Sequence, residues 1–182
     1  MCCSNELFIH QSRFLYPSAE NHSCLYRCIS RVVDRQFVLG REQKDVFVRM
    51  MREYEDFCGV QVISYCIMSN HFHLLVEVPP KKKDEVILLD DGEFLRRLKP
   101  LYSKVYCRGI KQMLERFRAD GADAAMEELK AKFTYQMQDL SQFMKGLKQR
   151  FTQWYNGAHD RRGTLWGGDS RVCWWKMVTR LG

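Results

Sequence analysis

The chain has 182 residues, of which 46% are hydrophobic and 13% aromatic, enough for one domain with a buried core. Lys and Arg number 29 against 22 Asp and Glu, and the resulting charge of +7 favours a phosphate-bearing partner. No apolar run reaches the roughly 20 residues of a membrane span, and the cysteines form no C-x-x-C pair. These features exclude a membrane protein and predict a reduced, cytoplasmic one.

The first part of the chain predicts a small sheet with one helix. Residues 24–33 are rich in β-branched and aromatic residues, which is typical of a strand. Between residues 42 and 57 the apolar side chains recur at steps of three and four, the period of a helix with one buried face. Two apolar runs, 60–68 and 71–78, are separated by two residues and predict an antiparallel hairpin. Together they indicate an α+β fold with a helix on one sheet face.

The second part of the chain is mostly helical in pattern. Residues 81–137 contain charged helical stretches around 93–107 and 111–118, a break at Gly121 and a further helix from about Ala122, which together predict a helical insertion. A strongly periodic amphipathic helix follows from Gln138. We expect a loop from Gly157 onward and no further regular element.

The most informative segment is the run from Asn70 to Glu77, which contains His71 and His73. On a strand, alternate residues share a face, so both imidazoles lie on one face and Phe72 and Leu74 on the other. Two adjacent imidazoles can share one divalent cation and leave coordination positions open for a substrate. The alternative is that they are two partly exposed histidines of an ordinary hairpin.

Residues 63–77, ISYCIMSNHFHLLVE, resemble the hallmark of the REP-associated tyrosine transposases and their single-tyrosine insertion-sequence relatives. In that family a Tyr-Cys-x-Met strand turns into a His-x-His strand, and Ser69 stands here where proline is commoner. Residues 143–156 and the Arg-Arg-Gly-x-Leu-Trp string at 161–166 are similar to the same family in order and spacing. The resemblance covers about residues 24–168, interrupted by the insertion.

The resemblance implies an HUH-type nuclease domain over residues 23–168, with a ferredoxin-like, or palm-like, antiparallel sheet, helices on one face and the insertion at about 81–137. It further implies that His71 and His73 hold Mg²⁺ or Mn²⁺ and that single-stranded or hairpin DNA is the partner. A tyrosine then attacks the scissile phosphate. Residues 1–22 are expected to be an N-terminal extension and residues 169–182 an atypical tail.

The nucleophilic tyrosine of the family lies beyond the Leu-Trp string, on a helix that we do not find in this sequence. Tyr155 precedes that string and is a weak substitute, since an aromatic residue there also suits packing or base stacking. The tail does not match the family, and a frameshift near Gly168 would explain both observations. Sequencing the downstream flank in the other frame tests this hypothesis.

Cations beside aromatic rings suit a nucleic-acid strand, because charges hold phosphates and rings stack on bases. The candidate DNA-binding residues are Arg27, Lys145, Lys148, Arg150, Arg161, Arg162 and Trp166. Three hypotheses follow: a transposase-family protein that binds metal and DNA without cleavage, an active nuclease that uses Tyr155 or a partner chain's tyrosine, and a repurposed DNA-binding module whose histidines are incidental.

Overall fold

The computed structural model describes residues 23–80, 87, 89–168 and 171–175, the last five only through their backbone. In this part of the chain one antiparallel sheet contains β1 (Cys24–Arg31), β2 (Gln61–Ile67), β3 (His71–Val78) and β4 (Arg171–Trp175), in the order β2-β3-β1-β4. The helices are α1 (Arg41–Cys58), α2 (Asp91–Leu98), α3 (Lys104–Ala119), α4 (Asp123–Thr134) and α5 (Leu140–Ala158).

The order of these elements is that of a ferredoxin-like fold. Strand β1, helix α1, the β2–β3 hairpin, helix α5 and strand β4 follow one another as β-α-β-β-α-β, and α2 to α4 are inserted between β3 and α5. The predicted fold class, an α+β ferredoxin-like sheet with a helical insertion, is therefore confirmed. The expectation of no regular element after Gly157 was wrong, because residues 171–175 pair antiparallel with β1. Residues 1–22, 169–170 and 176–182 lie outside the described residues.

Two predicted boundaries also change. Strand β1 ends at Arg31, and Val32 makes an isolated bridge to Trp166 before a 3-10 turn. The helix expected over 93–107 is two helices, because Pro100 cannot donate a backbone hydrogen bond within a helix. The Ser103 side chain accepts a hydrogen bond from the Tyr106 N–H and begins α3.

The core lies between the sheet and the pair α1 and α5. Along β3 every second residue is buried, and the Phe72 ring centre lies 4.7 Å from that of Phe47 on α1. Phe47 in turn lies 5.2 Å from Phe151 on α5. Phe72 and Leu74 are 0% and 1% exposed. The prediction that Phe72 is buried beneath the first helix is thereby confirmed.

Ion pairs and a backbone contact attach the insertion to this core. Arg96 on α2 makes two hydrogen bonds to Asp56 on α1, at 2.7 and 2.9 Å. Arg150 on α5 donates to the Pro100 carbonyl, 2.8 Å away. Such a two-point attachment fixes where α2 to α4 lie relative to the core. Among the described helices, none combines the length and the apolarity that crossing a bilayer requires.

Candidate metal centre and nucleic-acid interface

His71 and His73 lie side by side on β3, one of the two inner strands of the sheet. Their ring centres are 5.1 Å apart, and both rings are partly exposed on the face opposite the helices. The alternation of the strand produces this pairing, because the intervening Phe72 must be buried in the core. The predicted orientation of the two imidazoles is thus confirmed.

Neighbouring strands surround the histidines with specific groups. On β1 the Cα partner of His71 is Arg31 and that of His73 is Ile29. On β2 the Cα partner of His73 is Cys66, whose side chain is exposed. A shallow cavity of about 360 Å³ opens here, lined by residues that include Arg27, Cys66 and His73. His73 therefore lines an accessible depression with the cationic Arg27 beside it.

Hydrogen bonds hold each imidazole differently. His71 Nδ1 lies 2.7 Å from Asn70 Oδ1, whereas His73 Nδ1 lies 3.4 Å from Arg27 Nη2. The pKa of His73 is lowered from its ordinary value, chiefly by burial and then by the positive charges of Arg27, His71 and Arg31. His73 is consequently held in its neutral form, the form that can bind a cation.

The donor set fits an open cation site better than a closed structural one. Within the described residues, no group of three or more His, Cys, Asp or Glu side chains gathers to hold a metal ion. Two neutral imidazoles would supply two ligands and leave the remaining positions to water and substrate oxygens. Mg²⁺ and Mn²⁺ both prefer oxygen ligands, which water and a substrate phosphate would supply at the open positions.

A second, larger depression runs along helix α5. It has a volume of about 680 Å³, and its lining includes Lys145, Lys148, Asn156 and Ile29 of β1. Burial lowers the pKa of Lys148, although the nearby Cys28 opposes this shift. Because Ile29 is the Cα partner of His73, the groove reaches the strand next to the histidines. A basic groove thus borders the candidate metal centre.

The family model described as "Transposase IS200 like" matches residues 20–118, more than half of the chain. The chain belongs to the IS200-like transposase family. The matched residues include β1, α1 and the whole histidine hairpin. The family prediction made from the His-x-His string is confirmed.

A solved structure of low sequence identity shows the same fold. A REP-associated tyrosine transposase bound to a REP hairpin superimposes with a TM-score of 0.50 and 8% identity over 92% of this chain and 64% of that chain. A Deinococcus radiodurans R1 protein described as a transposase aligns with a TM-score of 0.47 and 14% identity over 91% of this chain and 85% of that one. No curated protein matches the chain in sequence.

In this IS200-like chain several candidate DNA-binding residues have structural partners instead. Arg150 lies 3.3 Å from the Glu53 carboxylate in addition to its contact with Pro100. Trp166 is only 7% exposed and packs against Phe72, and its Nε1–H donates to the Lys148 carbonyl at 3.1 Å. These contacts assign both residues to packing, so we leave them out of the proposed nucleic-acid surface.

The other candidates lie at the surface of the groove or near it. Lys145 is exposed, Lys148 is half-buried and Arg162 is exposed. Arg161 donates to the Asn156 side chain at 3.3 Å and to the Thr164 carbonyl at 3.0 Å, which fixes the loop against α5. Arg27 is separate from this group and lies on the histidine face.

The described tyrosines other than Tyr65 lie away from the histidine face. Tyr155 is 8% exposed, and its ring centre lies 4.2 Å from that of His159. Tyr65 is the Cα partner of the core-facing Leu74, and the Arg52 guanidinium lies over its ring. The remaining described tyrosines belong to the core face of β1, to α1 or to the insertion: Tyr26, Tyr54, Tyr102, Tyr106 and Tyr135. Within the described ranges, therefore, Tyr65 is the only tyrosine that lines the cavity of His73, and the Arg52 guanidinium lies over its ring.

Sequence reasoning missed Asn70, which was considered only as a turn residue. The turn does exist, since the Met68 N–H donates to the His71 carbonyl. In addition, Asn70 Nδ2 donates to the Arg35 carbonyl at 3.2 Å while its Oδ1 contacts His71. Its position directly before the first histidine was the available signal.

Proposed function

We propose that this chain binds single-stranded or hairpin DNA and a divalent cation, Mn²⁺ or Mg²⁺, at the His71 and His73 pair. The observation that carries the proposal is the pair of partly exposed imidazoles, 5.1 Å apart, on an open sheet face with Arg27 beside them. When bound, such a cation neutralises charge on a phosphate oxygen. His71 and His73 would hold it, and Arg27 would bind a neighbouring phosphate oxygen.

The groove along α5 is the proposed path of the DNA backbone. Its cationic side chains, Lys145 and Lys148, have the charge to hold phosphates, and Arg161 and Arg162 lie in the adjoining loop. We infer that a hairpin is one suitable DNA form, because the similar structure, at 8% identity, has a bound REP hairpin. A single strand is another. The groove favours backbone contacts, which do not depend on base sequence.

We further propose that the described domain does not itself cleave DNA covalently. The support is the distribution of its tyrosines in the described ranges. Tyr65 alone lines the cavity of His73, but it lies opposite the core-facing Leu74, and the Arg52 guanidinium lies over its ring. A nucleophile must lie within about 1 Å of its productive position, since such a displacement costs on the order of a hundredfold in rate. Tyr155 is too enclosed by Phe151 and His159 to reach a phosphate.

The test combines binding and covalent capture. Labelled hairpin DNA is titrated with the parent protein and with His71→Ala and His73→Ala variants in Mn²⁺, and each mixture is then run on a denaturing gel. We expect salt-sensitive DNA binding by all three proteins, Mn²⁺ binding by the parent alone, and no DNA-linked protein band. Equal Mn²⁺ affinity in parent and variants would refute the metal role.

A covalent band would refute the proposed lack of cleavage, and a Tyr155→Phe variant then identifies its source. Loss of the band in that variant would make Tyr155 the nucleophile. Persistence of the band would favour Tyr65, which lines the cavity of His73, a tyrosine outside the described ranges, or one supplied by a partner chain. Absence of DNA binding at low salt would contradict the whole proposal.

A further inference from the structure

The first imidazole is held in a defined tautomer by Asn70. The Asn70 side chain uses its Nδ2 to donate to the Arg35 carbonyl, so its Oδ1 is the atom that meets His71 Nδ1 at 2.7 Å. An oxygen of this kind only accepts, and Nδ1 of His71 must therefore carry the proton. Neutral His71 then keeps its lone pair on Nε2, where a cation can bind it.

The second imidazole is held in the opposite way. Arg27 Nη2 lies 3.4 Å from His73 Nδ1, and a guanidinium has donors but no acceptor. Nδ1 of His73 is accordingly the acceptor, and the proton of the neutral ring is on Nε2. A neutral imidazole has only one lone pair, so Arg27 occupies the lone pair of His73 that a cation requires.

We propose that Arg27 couples DNA binding to cation binding by exchanging His73 Nδ1 for a phosphate oxygen, which releases the lone pair of His73. This inference rests on the proposed function and names how its site is regulated. The exchange is favourable because a guanidinium can bind an anionic phosphate through two parallel hydrogen bonds and with opposite charge, whereas a neutral imidazole offers it one lone pair and no charge. The contact it replaces is long, at 3.4 Å, and exposed.

The coupling must work in both directions. If DNA raises the affinity for the cation by drawing Arg27 away, the cation raises the affinity for DNA by the same factor. Arg27 is thus a positioning residue, because it occupies the lone pair of His73 until a phosphate binds. Among the described residues His71 has no such restraint, since its partner Asn70 contacts Nδ1 and not Nε2.

Arg31 offers a matched control for the charge. It lies on the same face of β1, four residues after Arg27, and its Cα partner is His71. Its positive charge also acts on His73, yet among the described residues it makes no hydrogen bond to either imidazole. An Arg31→Met variant therefore removes a cation near the site, and Arg27→Met removes a cation together with the contact to His73.

The first measurement is the position of the ring protons in the metal-free protein, read from ¹⁵N chemical shifts of the histidines. We expect the proton on Nδ1 in His71 and on Nε2 in His73. Finding the His73 proton on Nδ1 would overturn the proposal, because Arg27 could not then be its partner. This measurement requires neither metal nor activity.

The second measurement is Mn²⁺ affinity with and without a short oligothymidylate. We expect the oligonucleotide to raise the Mn²⁺ affinity of the parent and of Arg31→Met by about fivefold or more, a typical coupling factor. In Arg27→Met the affinity without DNA should be higher than in Arg31→Met, and the increase caused by DNA should be several times smaller.

Equal DNA-induced increases in the parent and both variants would overturn the role of Arg27 and leave the proposed function intact. A parent protein that binds no Mn²⁺ in either condition would instead refute the proposed metal function, and the coupling with it. Inorganic phosphate in place of the oligonucleotide tests whether the contact of Arg27 with a single phosphate is enough. It should then reproduce part of the increase in Mn²⁺ affinity, and the rest depends on the groove.

Discussion

A close contact between Gly146 on α5 and Tyr54 on α1 leads to a testable prediction. A Cβ atom built on this glycine would lie 3.0 Å from Cζ of Tyr54 and nearer still to Cε1. Both atoms belong to a rigid ring rather than to the end of a flexible chain. We therefore expect Gly146→Ala to push the two helices apart or to displace the ring.

The expected magnitude is the difference between two opposing effects. Overpacking of a well-packed contact costs about 1 to 3 kcal/mol. Replacing glycine by alanine inside a helix contributes about 1 kcal/mol of stability. Gly146→Ala should consequently lower the free energy of unfolding by about 1 kcal/mol, and by no more than about 2 kcal/mol.

Gly109 on α3 is the matched control, because no atom lies within 4 Å of a Cβ added there. Gly109→Ala should raise the free energy of unfolding by up to about 1 kcal/mol. The difference between the two variants, measured by urea unfolding followed by circular dichroism, isolates the clash. In a Tyr54→Ala background the penalty at Gly146 should disappear. Equal stabilisation by both alanines would refute the close packing of α1 on α5.

Three further predictions concern other parts of the molecule. Phe72→Ala should cost about 3 to 5 kcal/mol in urea unfolding, since the ring is fully buried behind the histidines, and a cost near zero would contradict the core. Burial raises the pKa of Cys58 to about 12, so iodoacetamide should modify the exposed Cys66 in the native protein and reach Cys58 only on unfolding; early labelling of Cys58 in a mass-spectrometric time course would count against this. Lys145→Gln should make the slope of log affinity for single-stranded DNA against log salt less steep by about 0.7, while Arg150→Met should leave that slope unchanged and reduce stability. An equal change in slope for both variants would show that Arg150 also contacts the DNA backbone.

The histidine hairpin was predictable because its determinants are local. Strict alternation over eight residues fixes which side chains share a face, and a two-residue connection fixes the pairing of β2 with β3. Nothing outside residues 60–78 is needed for that inference. The bulge at Val62 and Ser64 was not predicted, but it leaves the register next to His73 unaffected.

Strand β4 could not be predicted in this way. Its partner β1 is about 145 residues earlier, and the antiparallel pairing uses backbone groups that every residue except proline carries. Residues 171–175 have no alternating pattern that would reveal a buried face. Their role as an outer strand follows only from the completed β-α-β-β-α-β arrangement.

The roles of Arg150 and Trp166 illustrate a second limit. The sequence analysis counted Arg150 among the candidate DNA-binding residues, which are normally exposed. Its partners are Glu53 and Pro100, 97 and 50 positions earlier in the chain, and no local pattern indicates them. A tryptophan beside two arginines likewise suggested base stacking, whereas Trp166 fills the space between the core aromatic rings.

The two faces of the sheet have different roles, since one packs in the core and the other carries the candidate site. Phe47, Phe72 and Phe151 pack on the helix side, whereas Arg27 and His73 lie on the opposite side, where they contact each other. Substitutions at such exposed positions usually change stability by less than about 0.5 kcal/mol. The histidine and arginine variants should therefore remain folded, so a change in their Mn²⁺ or DNA affinity reports on the site itself. The same separation helps to explain how the helical insertion can be accommodated, because its described helices contact the core through α1 and α5, which pack on the helix side of the sheet.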